Sequence, residues 1–157
     1  FRLRDALAAL GARGPAFTYV LIDCPPSLNL LTMNALAAAD GLLVPLQCEF
    51  FALEGLSQLQ RTVELVRGSL NPTLKIQGVV LTMADKRNRL TEQVEADVRA
   101  HMGETVYKTI IPRNVRLSEA PSHGLPAIVY DIKAPGSQAY IQLASELIQR
   151  ERALKAA

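Results

Sequence analysis

Four times along this chain a short β-branched or leucine-rich run gives way to a helical pattern, and that alternation restricts the fold more than any other feature. Phe17 to Ile22 (FTYVLI) reads as a strand ending at Asp23; after a Cys-Pro-Pro-Ser turn, a helical stretch runs from about Leu28 to Ala39. Asp40 and Gly41 open a second strand, Leu42 to Leu46. From Ala52 to Leu70, Leu53, Leu56, Leu59, Val63 and Val66 recur at three- and four-residue intervals, the period of an amphipathic helix, which Asn71 and Pro72 close. A third strand, Ile76 to Met83, leads through the polar loop ADKRNR to a helix from about Thr91, the expected N-cap, to Met102, with Gly103 at its end. Val106 to Ile111 is the fourth strand; a short strand, Ala127 to Val129, precedes a last helix from about Gly136 to Leu154. Strands and helices at this spacing predict an α/β fold: one domain over residues 1–157 with a doubly wound, mostly parallel sheet and helices on both faces. Ligands of such sheets bind at the carboxyl ends of the strands.

Composition excludes the main alternatives. With 49% hydrophobic and 20% charged residues, the chain is too apolar for disorder. Its longest apolar runs, such as Leu42 to Leu46, fall far short of the roughly 20 residues that cross a bilayer. Cys24 and Cys48 have no metal-ligand spacing with each other or with His101 and His123, which argues against a zinc site or a disulfide framework and suits a reducing cytoplasm. The formal net charge is only +2, so an argument for nucleic acid must rest on where the basic residues lie.

Val20-Leu21-Ile22-Asp23 places a carboxylate at the end of an apolar strand. This is the arrangement of a Walker B acid, which holds Mg²⁺ directly or through water beside a nucleoside triphosphate. A loop acid or helix N-cap is the plainer alternative for a bare apolar run ending in Asp. Lys86, Arg87 and Arg89 fall in one loop after a strand and Arg113 and Arg116 in another, with Lys108 between them in sequence. If both loops lie at one edge of the sheet they form a positive patch suited to phosphate contacts that ignore base sequence. A solvated charged face is the alternative. His123 has no sequence partner as a catalytic base would need and is read as a polar turn residue.

The continuation sharpens this. Asp23-Cys24-Pro25-Pro26-Ser27, Leu30-Leu31-Thr32, Asn34-Ala35-Leu36, PLQCEFFALEGLS (Pro45 to Ser57), LTMAD (Leu81 to Asp85), VYKTIIPRNVRLSEAPSHG (Val106 to Gly124) and Tyr130-Asp131 together resemble the ParA/Soj branch of the MinD-like ATPases, in that family's order and spacing. The resemblance covers nearly the whole chain from Tyr19 onward. It implies a deviant P-loop ATPase of the cytoplasm, associated with the nucleoid, that partitions chromosomes or plasmids. It implies ATP and Mg²⁺ as cofactors, dimerisation on ATP, nonspecific DNA binding and a ParB-type protein partner. Asp23 matches the family's Walker B aspartate, with a catalytic and metal-positioning role. Pro112 and Asn114 match the loop near the adenine; the plainer alternative is that Pro112 ends the strand and Asn114 caps the next helix. Met83 and Asp85 stand where related folds also approach the base, with packing and loop capping as alternatives. Arg87 and Arg116 match the family's nonspecific DNA-binding arginines, with Lys86 and Arg89 weaker candidates.

One part of the family pattern has no counterpart here. No GxxxxGK[ST]-like segment occurs in the 157 residues, and Phe1 to Ala12 resembles the helix that leads into the Walker B strand. The expectation is therefore a C-terminal portion of the ATPase domain, its first strands and phosphate loop missing, with negligible hydrolysis by itself. A non-catalytic DNA- or partner-binding remnant is the alternative function. A membrane-positioning role would need an amphipathic tail, and Gln149 to Lys155 is charged with little apolar face.

Overall fold

The spacing of leucine and valine between Ala52 and Leu70 does produce one long helix, and much of the architecture hangs on it. The computed structural model describes residues 2–14, 17–25, 27–85 and 87–156. Its elements are α1 (Arg2–Arg13), α2 (Leu30–Ala38), β1 (Gly41–Gln47), α3 (Ala52–Ser69), β2 (Lys75–Thr82), α4 (Arg89–Met102), α5 (Val115–Glu119), α6 (Ala127–Tyr130) and α7 (Pro135–Ala156). The chain divides into two compact units, Phe1–Leu42 with Ser57–Gln77 and Leu43–Leu56 with Gly78–Ala157.

In the first unit, Leu36 of α2, Val63 and Val66 of α3 and Leu74 form a buried cluster, edged by Met33, Leu42, Leu70 and Ile76. Asn29 sets the start of α2: its side-chain oxygen accepts from the amides of Leu31 and Thr32 at 2.9 and 3.1 Å. The other end of α2 is closed from a distance. Buried Asn71 donates through Nδ2 to the carbonyls of Leu36 and Ala39 at 3.0 and 2.8 Å, so the residue that ends α3 also satisfies α2. The expected strand Phe17–Ile22 is absent: residues 17–25 form no ladder, and Leu21 is 87% exposed. The sheet among the described residues contains only β1 and β2, and an apolar run without a neighbouring strand has nothing to pair its backbone with.

In the second unit, Val79, Val80 and Leu81 of β2 are all buried, as expected of a strand covered on both faces. Val80 packs with Tyr107, Ile111, Ala139 and Leu143, edged by Leu43, Leu117 and Leu147. Leu154, further along α7, is exposed. The segment 106–112 runs parallel to β2, with bridges at Val79↔Val106 and Ala84↔Pro112, but the expected regular strand Val106–Ile111 does not form. The amide of Tyr107 donates to Val79 and that of Ile111 to Leu81, so four residues on one side span two on the other. The bulged amides of Lys108 and Thr109 donate instead to the two carboxylate oxygens of Glu146 on α7, at 2.8 and 2.9 Å.

Two further expectations change. Asn88, not Thr91, caps α4, accepting from the Leu90 amide at 3.0 Å, while Thr91 is buried. The expected strand Ala127–Val129 is a single helical turn, α6. Pro126 fixes its entry, and the Ala127 carbonyl is used by the Asp131 amide at 2.9 Å and the buried Ser137 hydroxyl at 3.1 Å, leaving no ladder.

Candidate functional site

The carboxyl end of β2 gathers most of the residues singled out from the sequence. Met83, directly after the strand, has φ +54°, the left-handed region that a side chain other than glycine's rarely adopts; among the described residues it is the only such non-glycine position. Strain of this kind costs on the order of 1–3 kcal/mol and collects at functional sites. The chain then turns so that the Ala84 amide donates to Ile111 and the Ala84 carbonyl accepts from Arg113, at 3.2 and 2.9 Å. Those two bonds lay the residues that follow β2, Met83 to Asp85, beside the segment that begins at Pro112. Arg87 and Arg113 thus follow neighbouring backbone segments, while Arg89, read from the sequence as a loop residue, is the first residue of α4.

Asn114 occupies the N-cap position of α5 without capping it: its side chain makes no bond to the helix, and among the described residues its buried Oδ1 has no partner. Leaving a buried acceptor unpaired costs on the order of 1–3 kcal/mol, and the Tyr107 hydroxyl in the core shares this state, so the orphaned atom is compatible with a donor supplied from elsewhere without requiring one. Pro112, half-buried and bridged to Ala84, forms a rigid neighbour to it. Asp23 lies in the first unit, exposed, and among the described residues has no hydrogen-bond or ion-pair partner. No group of three or more His, Cys, Asp or Glu side chains able to hold a metal occurs among the described residues. A lone accessible carboxylate still fits Mg²⁺, which takes one or two protein oxygens and completes its shell with water and phosphate.

The arginines are engaged. Arg87 forms a fork with Asp85, Nε to Oδ1 at 3.0 Å and Nη2 to Oδ2 at 2.8 Å. The Arg87 side chain and amide, with a smaller contribution from Arg113, hold the Asp85 carboxyl down at about 2. Arg116 donates to Glu119 at 2.9 Å and lies 3.6 Å from Asp131. Lys86 lies outside the described residues. His123 stacks on Tyr130 with ring centroids 4.9 Å apart, and Tyr130 donates to Glu119, in keeping with a structural turn residue. The sequence singles out the arginines and Asp85, but places Asp85 near the base rather than on Arg87, and gives Glu119 and Asp131 no role as partners of Arg116. The Asp85/Arg87 and Arg116/Glu119 spacings were visible signals; Asp131 arrives only through the turn at α6.

A buried parallel strand opening at its carboxyl end into two adjoining loops is the place where α/β folds take their ligands. The AAA domain family matches residues 2–76. The chromosome partitioning protein ParA of Caulobacter vibrioides is 70% identical over 152 residues, 97% of this chain and 57% of that protein. The sporulation initiation inhibitor protein Soj of Bacillus subtilis is 54% identical over 93% of this chain and 56% of its own length. Cobyrinic acid a,c-diamide synthase from Mycobacterium smegmatis, solved with bound ADP and magnesium, superposes with a TM-score of 0.73 at 36% identity, covering 96% of this chain and 53% of that one. The chain belongs to the ParA/Soj family of partitioning ATPases, and it spans a little over half the length of the curated relatives it matches. Among the described residues no helix is long and apolar enough to cross a membrane.

Proposed function

We propose that this chain forms part of an ATP-dependent chromosome-partitioning ATPase of the cytoplasm, one that dimerises on ATP, binds DNA without sequence preference at the nucleoid and answers to a ParB-type partner. The observation that carries this reading is the 70% identity to a chromosome partitioning ParA across 97% of the chain. Pro112 walls the base, and the unpaired Asn114 Oδ1 accepts from the exocyclic amine of adenine. Met83, held strained at the strand end, packs beside it. The exposed Asp23 carboxylate orients the Mg²⁺ shell and the attacking water. Bound Mg²⁺ supplies charge neutralisation for the phosphates. These 157 residues contain no phosphate-cradling GxxxxGK[ST] segment, so hydrolysis is assigned to the full-length protein.

Two outcomes test the reading. In the full-length protein, Asp23→Ala lowers Mg²⁺-dependent ATP hydrolysis by about tenfold or more; unchanged turnover would remove Asp23 from the metal site. The pair Arg87→Ala and Arg116→Ala weakens ATP-state binding to random-sequence duplex while nucleotide binding persists. Together they flatten the slope of log affinity against log salt by up to about two, since each lost phosphate contact contributes about 0.9. Identical salt titrations of wild type and double variant would sink the DNA assignment.

A further inference from the structure

The arginines of the proposed DNA face are matched by acids, and each acid is held in place. Asp85 Oδ1 accepts from the Arg87 amide at 3.0 Å as well as from its guanidinium, so the Asp85–Arg87 fork is closed through the backbone, although the Arg87 side chain is 88% exposed. At Arg116, Nη1 donates to Glu119 Oε2 at 2.9 Å, and the same oxygen accepts from the Tyr130 hydroxyl at 3.3 Å. On the other side Asp131 Oδ2 stands 3.6 Å from Arg116 Nε, while Asp131 Oδ1 is fixed by the amides of Lys133 and Ala134 at 3.1 and 3.2 Å. Arg113, whose charge reaches Asp85, shares this edge. Two arginines thus face three anchored carboxylates.

We infer that Asp85, Glu119 and Asp131 are built-in competitors for DNA phosphate that set how tightly, and at what salt, this face binds. The inference rests on the DNA reading given above. Carboxylate and phosphate are recognised by guanidinium in the same two-pronged way, so a phosphate reaching Arg87 or Arg116 must displace the acid or share the cation with it. An anchored acid does not diffuse off, and its charge repels the incoming phosphate at close range, where salt screens least. The face is therefore weaker for nucleic acid than its arginine count suggests.

The test uses the isosteric variants Asp85→Asn and Glu119→Gln in the full-length protein, binding random-sequence duplex with ATP present across a salt titration, beside Arg87→Ala and Arg116→Ala. Each neutralised acid tightens binding by about two- to fivefold at low salt, the size of an exposed ion pair, and the double variant steepens the salt slope. Thermal melting of the variants close to wild type excludes refolding as the cause. If the arginine variants weaken binding and the acid variants do not tighten it, the competitor role is overturned while the DNA reading stands. If neither set changes affinity, both fall.

Discussion

Replacing Glu146 with alanine is expected to lower the unfolding free energy of the full-length protein by about 4 kcal/mol, measured by urea denaturation near neutral pH. One carboxylate meets five donors: the Lys108 and Thr109 amides, the Thr109 hydroxyl at 2.8 Å, and Nε and Nη2 of Arg150 at 3.1 and 2.7 Å. Its removal leaves the part-buried Thr109 amide without its acceptor and takes the anion from a part-buried Arg150 guanidinium, while water can reach the exposed Lys108 amide. Glu146→Gln gives little rescue, because the two oxygens serve different amides and the new NH₂ group faces an N–H. Burial alone pushes this carboxyl up; the bonds from Lys108, Thr109 and Arg150 outweigh burial and hold it at about 2, against an ordinary value of 4.5. A depressed folded value contributes stability that is fully present above the unfolded value and is lost as pH falls through the folded one. The contribution, on the order of 3 kcal/mol, is intact above about pH 5 and gone near pH 2. The stability gap between wild type and Glu146→Ala therefore narrows steadily over that window; a gap independent of pH would show that the carboxylate's charge is not what holds the bulge.

Gly78→Ala is expected to cost about 3 kcal/mol, although glycine inside a strand is ordinarily a weakness that alanine improves. Tyr107 is wholly buried with its ring against the β2 backbone at Gly78; an added Cβ would collide with Cε2 and come within 2.8 Å of Cδ2. The Arg150 guanidinium, 4.2 Å from the ring centroid, covers the ring and is itself tied to the Glu104 and Val106 carbonyls at 2.8 and 2.9 Å. The ring has nowhere to retreat. Combining Gly78→Ala with Tyr107→Leu should recover part of the loss, giving a double variant more stable than the sum of the single changes; strict additivity would mean the ring and the glycine do not meet.

These two positions show where sequence reading reached and where it stopped. The helix α3, the strands β1 and β2 and the last helix were legible because long apolar periods carry their own information. Strand character at Phe17–Ile22, Val106–Ile111 and Ala127–Val129 was misread because a strand exists only with a partner, and local composition does not say whether one is present. For Val106–Ile111 the deciding group is Glu146, a residue on another element that takes the amides a ladder would have used. At the site, the loop from Pro112 to Arg116 was legible through its resemblance to a family. The unpaired state of Asn114 Oδ1 and the strain at Met83 were not, since both are properties of backbone geometry.

The tie between α7 and the bulge also fixes where foreign sequence can be attached. Glu146 and Arg150 stand one helical turn apart and splint residues 104–109, immediately upstream of the loop that carries Asn114 and Arg116. A fluorophore or tag joined beyond Ala153, where the helix is exposed, leaves that splint whole. Interrupting α7 after Leu147 would remove Arg150, uncover the Tyr107 ring and slacken the loop at its root. The last helix, which contributes no residue to the 112–116 loop itself, is thus the tether that keeps that loop in register.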